Sequence, residues 1–327
     1  MTISRRGRAV AALTAAAGLV VAGCGADDAG GAAGGDGAGV LAAFYPLAYA
    51  TEWVAGPDAM VTNLTQPGVD AHDLELTGQQ VGQIADADLV VYLRGFQPAV
   101  DEAIAQNAAD RSVDVTELLH LLDDDHGHDD THDDDDDHAH DDDEAGDGHD
   151  HGDLDGDPHV WLDPTNLAAI AEAVADRLGE LLPDQAEQFH DRAHELEEEL
   201  AELDTEYRDG LASCERRVFV TSHAAFGYLA QRYDLEMVGI AGIDPDAEPS
   251  PSRLAEVQHV VQDEGITTIF YERLVSPAVA QSLADDLGVS AAVLDPIEGL
   301  TDETADEDYF SLMRANLDAL REANGCA

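Results

Sequence analysis

From Val40 onward the chain alternates between short apolar runs and longer segments whose apolar residues recur every three or four positions. "GVLAAFYPLAYATEWV" starts as a buried strand and continues as a helical face; "AMVTNLT" and "ADLVVYL" read as further strands, the latter followed by helix-forming "AVDEAIAQNA", and "SVDVTELL" continues the pattern. Strands separated by amphipathic helices predict α/β units with a parallel sheet. In "DPHVWLDPTNLAAIAEAVADRLGELL", Asp163 is placed to cap a helix with Pro164 at its first position, and Leu167, Ile170, Ala171, Val174, Leu178 and Leu181 mark one face until Pro183 breaks it. The next helix carries Ala186, Phe189, Ala193, Leu196, Leu200, Leu203, Tyr207 and Leu211 on one face, about seven turns without a breaker. Such a rod can join two lobes rigidly. Beyond Cys214 the rhythm resumes, with strands in "RRVFVTS", "EMVGIAGI", "ITTIFYE" and "SAAVLDP" and helices in "AAFGYLAQRY", "SRLAEVQHVVQDEG" and "PAVAQSLADDLG". The pattern predicts two α/β lobes bridged by one long helix.

Two segments depart from this rhythm. Between Asp123 and Asp157 the chain is Asp, His and Gly with almost no apolar residue. Its aspartates repel and nothing offsets the entropy of ordering them, which predicts a mobile insertion. At the N-terminus, Arg5, Arg6 and Arg8 precede a short apolar run, Ala9 to Ala22, and "VAGC" ends in Cys24. That is a bacterial lipoprotein signal: the run is too short to span a bilayer, and a lipid on Cys24 would hold the protein at the outer face of the cell membrane. The expected division is a signal peptide over 1–23, a Gly-rich tether over 24–39, an N-terminal lobe over 40–183 containing the insertion 123–157, a linking helix over 184–211 and a C-terminal lobe over 212–327. Cys214 and Cys326, outside the cytoplasm, are expected to form one disulfide.

With 327 residues and 44% hydrophobic content the chain can bury a substantial core. A formal charge of -55 excludes nucleic acid and anionic lipid surfaces as partners and leaves contact with the membrane to the lipid alone. Cations are the natural ligands of such a field.

In open α/β sheets ligands bind beyond the carboxyl ends of the strands, so polar residues just past an apolar run are the candidates. His72 follows "AMVTNLT" in "TQPGVDAHDLELT", His159 lies in "DPHVWLDP" before the capped helix, His223 ends "RRVFVTSH" and Asp295 ends "SAAVLD". Glu272, after "TTIFY", competes with Asp295 for the fourth place. Three imidazoles and a carboxylate suit Zn²⁺ in tetrahedral coordination. The insertion's His126, His128, His132, His138, His140, His149 and His151 lie on chain that must lose freedom to wrap an ion, so weak auxiliary sites are expected there. His190 and His194, four apart on the long helix, form a surface pair with no further support, and "HELEE" lacks the second His of a zinc-protease motif.

"AAFYPLAYATEWVAG", "NLTQPGVDAHDLELTGQQ", "DPHVWLDP", "VTSHAAFGYLAQRYDL", "IFYERLVSP" and "LDPIEGL" together resemble the metal-specific solute-binding proteins of ABC importers, in particular their zinc-uptake branch. The resemblance implies two lobes, each with a four-stranded parallel sheet, a long linking helix, and Zn²⁺ held in the cleft as cargo for a membrane permease by a monomeric receptor that is not an enzyme. Carried over, it makes His72, His159, His223 and Asp295 the ligands and Glu272 a nearby supporting carboxylate. Ala71 departs from the family, where Pro commonly precedes the first ligand; looser loop stiffness is the expected consequence. Competing expectations are a manganese or iron receptor of the same class and a surface zinc-buffering or adhesion lipoprotein. An enzyme is disfavoured because four protein ligands leave no open coordination position.

Overall fold

The computed structural model describes residues 37–123 and 156–327. The signal segment, Cys24 and the tract residues His126, His128, His132, His138, His140, His149 and His151 lie outside the described residues. The first half forms strands β1 (Ala38–Ala42), β2 (Ala59–Asn63), β3 (Leu89–Tyr92) and β4 (Ser112–Asp114), with helices α1 (Tyr45–Ala55), α2 (Gly78–Asp86), α3 (Pro98–Asn107) and α4 (Pro164–Leu181). Helix α5 (Ala186–Leu211) leads to the second half. There, strands β5 (Val218–Thr221), β6 (Glu236–Gly239), β7 (Thr268–Tyr271) and β8 (Ser290–Val293) alternate with α6 (Gly227–Arg232), α7 (Pro251–Asp263), α8 (Ala278–Leu287) and the closing α9 (Tyr309–Asn324).

Both sheets are four-stranded with the same order, β2-β1-β3-β4 and β6-β5-β7-β8. Every pairing is parallel, for example Val40 opposite Val61 and Phe270 opposite Ala292. The expected α/β class with two parallel four-stranded sheets is therefore observed. Two limits shift. β1 begins at Ala38, inside the segment read as tether, because its backbone pairs with Ala59. Asp157, read as the last residue of a mobile insertion, is packed and only 4% exposed.

Local chemistry explains the helix starts. Asp163 accepts from the Thr165 amide at 2.8 Å with Pro164 at the first position of α4, as the sequence indicates. Leu181, assigned to the apolar face, is 39% exposed because α4 ends there. Helices α2 and α9, which the expected elements do not include, both carry a capping box, Thr77 with Gln80 and Asp308 with Ser311. Helix α9 buries Leu312, Met313, Leu317 and Leu320 and returns to the long helix, where the Tyr207 hydroxyl donates to the Met313 carbonyl at 2.6 Å. The expected disulfide joins Cys214 to Cys326 across 112 residues, tying the end of α9 to the end of α5. Closing a loop of that length stabilises the folded state by roughly 4–5 kcal/mol in a chain-entropy account.

The two sheets are stitched together rather than merely tethered. Trp161, fully buried, donates through Nε1 to the Pro296 carbonyl at 2.7 Å, and the Tyr309 hydroxyl donates to the Trp161 carbonyl at 2.6 Å. Tyr49 stacks on Tyr309 with ring centroids 5.8 Å apart. One apolar core consequently runs from Phe44 and Leu47 through Trp161 to Phe270, Leu294 and Tyr309. A smaller core of Val220, Val257, Ile269 and Leu283 belongs to the second sheet alone.

Candidate metal centre

The carboxyl ends of both sheets face one buried polar cluster. His72 stands on the loop after β2, His159 precedes α4, His223 follows β5, and Glu298 lies five residues beyond β8. The relevant side-chain atoms of these four residues lie within 4.8 Å of one another. Glu298 Oε1 is 3.5 Å from His72 Nε2, 3.2 Å from His159 Nε2 and 3.6 Å from His223 Nε2, and the Nε2 atoms of His159 and His223 are 3.4 Å apart. Bonds of about 2.0–2.1 Å in a tetrahedral zinc site put neighbouring ligand atoms about 3.3 Å apart, so the measured separations match one small divalent ion.

Asp295 does not join this cluster. Its Oδ1 accepts from the Ile297 amide at 2.8 Å, its Oδ2 pairs with Arg273 Nε at 3.2 Å, and Asn316 grips its amide and carbonyl at 2.8 and 2.6 Å. Asp295 thus anchors a turn. Ile297 within it has φ of 60°, a left-handed conformation costly for a β-branched residue, and the chain emerges with Glu298 inside the cleft. Glu298 sits in neither strand nor helix, so its only mark in the sequence is the "IEGL" that follows the apparent strand-end carboxylate.

Each fully buried imidazole is oriented from behind. Asp157 Oδ1 accepts from both the amide (2.9 Å) and Nδ1 (2.8 Å) of His159. Glu272 Oε1 accepts from His223 Nδ1 and Ser222 Oγ, each at 2.7 Å, so it lies behind the His223 ring and outside the cluster of four. Carboxylates on the outer nitrogens fix the tautomer that leaves Nε2 free for the centre. Behind His72 the loop is pinned by the buried Gln97, whose Nε2 donates to the Ala71 carbonyl at 2.9 Å and to Thr65 Oγ1 at 3.0 Å. That side chain supplies stiffness that a proline at 71 would otherwise give. The Nε2 of His72 is buried with no hydrogen-bond partner of good geometry, the state of a donor atom waiting for an ion. Phe96 lies edge-on to His72 at 4.6 Å between centroids and Trp161 lies 5.3 Å from His159, so the walls are apolar.

Burial works against charge on these imidazoles, but hydrogen bonds to carboxylates outweigh it. The pKa of His159 is raised by Asp157 and Glu298, and that of His223 is pushed up to about 10 by Glu272 and Glu298. Burial likewise opposes ionisation of Glu298, yet the three imidazoles facing its carboxylate hold its pKa well below the usual range. Burial raises Asp295 to about 6 against the opposing Ile297 amide and Arg273. The cluster therefore stores protons that a metal cation would displace.

Among the described residues a second group, Glu172, Asp176 and His190, lies on the exposed faces of α4 and α5. His190 pairs with those two carboxylates while His194 contacts Glu197 and Glu198 on its own helix, so the two histidines do not converge.

The chain matches the family described as "Zinc-uptake complex component A periplasmic" over residues 40–323. It is 37% identical over 290 residues to the zinc-binding protein AdcA of Streptococcus pyogenes serotype M3, an alignment covering 86% of this chain and 55% of that one. The chain thus spans about half the length of that relative. It is 33% identical over 313 residues to the high-affinity zinc uptake system protein ZnuA of Bacillus subtilis, covering 93% and 94% of the two chains. Its fold superposes on the Zn(II)-bound ZnuA-like domain of Streptococcus pneumoniae AdcA with a TM-score of 0.70 at 33% identity, covering 88% of this chain and 99% of that domain. A match spanning both sheets and all four clustered residues makes this chain a member of the zinc-uptake complex component A family.

Proposed function

We propose that the protein is the extracytoplasmic, lipid-anchored receptor of an ABC importer, which captures Zn²⁺ in the cleft and passes it to a membrane permease without chemical conversion. The observation that carries this reading is the buried quartet of three imidazole nitrogens and one carboxylate oxygen at mutual distances suited to a single tetrahedral ion. Imidazole-rich coordination favours zinc over manganese, which prefers oxygen donors. His72, His159, His223 and Glu298 are the ligands in this reading, and a complete protein shell suits holding an ion rather than activating a water. The histidines of the tract serve as weak collecting sites, with Cys24 as the lipid attachment point. The test is titration of metal-free protein with Zn²⁺ and Mn²⁺, with and without residues 124–155, a deletion that keeps the Asp157 carboxylate behind His159. One tight zinc site should survive the deletion while the weak sites disappear; loss of tight binding would make the tract the receptor, and preference for Mn²⁺ would reassign the cargo.

Zinc and protons compete for the same nitrogens, which fixes the sign of the pH dependence. His223, raised in the fold to about 10, contributes stability to the metal-free protein that is fully present below its unfolded pKa and is lost as pH rises through about 10. Zinc requires the neutral ring, so the affinity of the ion should rise with pH through the neutral range, with protons released on binding, His223 among their sources. Calorimetry in buffers of different ionisation enthalpy measures the number released. Zinc binding that releases no protons would contradict the assignment of His159 and His223.

A further inference from the structure

The carboxylate behind His159 is itself held in place by the opposite lobe. Asp157 donates its amide to the Leu122 carbonyl at 2.8 Å, and the Tyr228 hydroxyl donates to the Asp157 carbonyl at 3.0 Å while accepting from the Leu122 amide at 2.9 Å. Tyr228 is 4% exposed and belongs to α6 of the second lobe, whereas Asp157 and His159 belong to the first. Its neighbour Gly227 abuts the same carboxyl group: a Cβ there would lie 2.5 Å from Asp157 Oδ2, closer than real contacts allow. Gly156, with φ of 139°, is equally confined, since a Cβ would come within 2.7 Å of the Leu122 carbonyl. Backbone and carboxylate of Asp157 are thus fixed from two directions, and its Oδ1 in turn fixes the ring of His159.

We infer that Tyr228 and Gly227 are positioning residues for the metal centre, acting through Asp157 on His159, so that the second lobe sets the aim of a ligand carried by the first. The inference rests on His159 being a ligand of the bound ion. Neither residue belongs to the quartet or hydrogen-bonds to it. They act one step further out, on Asp157, which is itself the partner of the His159 ring, and loss of such a partner to a metal-bound imidazole typically lowers affinity 10–100-fold. Tyr228→Phe removes one oxygen and keeps the packing. Gly227→Ala instead pushes a methyl group against the carboxylate.

The experiment uses the full chain, metal-free wild type alongside Tyr228→Phe, Gly227→Ala and Asp157→Asn. Each is titrated with Zn²⁺ against a chromophoric chelator and loaded with Co²⁺ for its visible spectrum, with thermal melting of the metal-free forms as a control on folding. Tyr228→Phe should weaken tight zinc binding about tenfold and alter the Co²⁺ band intensities; Gly227→Ala and Asp157→Asn should do so at least as strongly. Unaltered affinity and spectra in both Tyr228→Phe and Gly227→Ala, beside an intact wild-type site, would overturn this inference alone. A wild type without any tight site would overturn the metal-centre reading, and this inference with it. Weakened zinc binding with an unchanged Co²⁺ spectrum would also count against it, because general loosening would then suffice.

Discussion

Replacing His159 by alanine should lower the affinity for Zn²⁺ on the order of 10²–10³-fold. Four protein ligands holding zinc at a total of roughly 10–16 kcal/mol contribute about 2.5–4 kcal/mol each, which is on the order of that range. His159 is the most consequential of the three imidazoles: it is completely buried, its Nε2 faces both Glu298 and His223, and its other nitrogen serves Asp157. The substitution also leaves the buried Asp157 carboxylate without its imidazole and takes one of three from Glu298, so the metal-free variant should melt at a lower temperature than wild type. His223→Ala should behave similarly, leaving Glu272 without its imidazole. Competition with a chelator of known affinity reads the first effect, and unchanged tight binding in either variant would remove that residue from the ligand set.

The second large effect separates two neighbouring carboxylates. Glu298→Gln keeps the side-chain volume but removes the charge that faces three Nε2 atoms, and should weaken zinc binding by about a hundredfold. Asp295→Asn keeps an oxygen for the Ile297 amide and loses only the pairing with the Arg273 guanidinium, so its affinity should stay within about tenfold of wild type. The reverse order of effects would return the fourth position to Asp295. The contrast matters because the two residues are three apart and differ in which way the chain turns between them.

That turn also shows where the sequence stops being informative. His72, His159 and His223 are legible because strand ends and a capped helix are marked by apolar runs and by "LDP", and parallel sheets deliver such positions to one face. The alternation of runs likewise conveys two lobes and a linking helix. Asp295 was the natural fourth candidate by the same logic, since it directly follows the apolar run ending at Leu294. What diverts it is tertiary: Asn316 on α9 and Arg273 beyond β7 capture Asp295, and a left-handed Ile297 carries Glu298 into the cleft. Neither partner is near in sequence. Helix α9, absent from the sequence reading, is the element that supplies Asn316. Asp157 was assigned to the Asp-rich tract by composition, and only the contacts from Tyr228 and Leu122 distinguish it from its neighbours.

The hydrogen bonds of Trp161 bear on how the cargo leaves. With the Trp161 indole fastened to Pro296 and its carbonyl to Tyr309, the pocket's two walls are riveted together beside the clustered histidines. A pocket of this kind resembles a socket more than a jaw. On the receptor reading proposed above, ligands already positioned by folding would leave less ordering cost for the ion to offset on binding. On that same reading, release of the ion would fall to a partner that supplies donors of its own or loosens the Trp161 contacts.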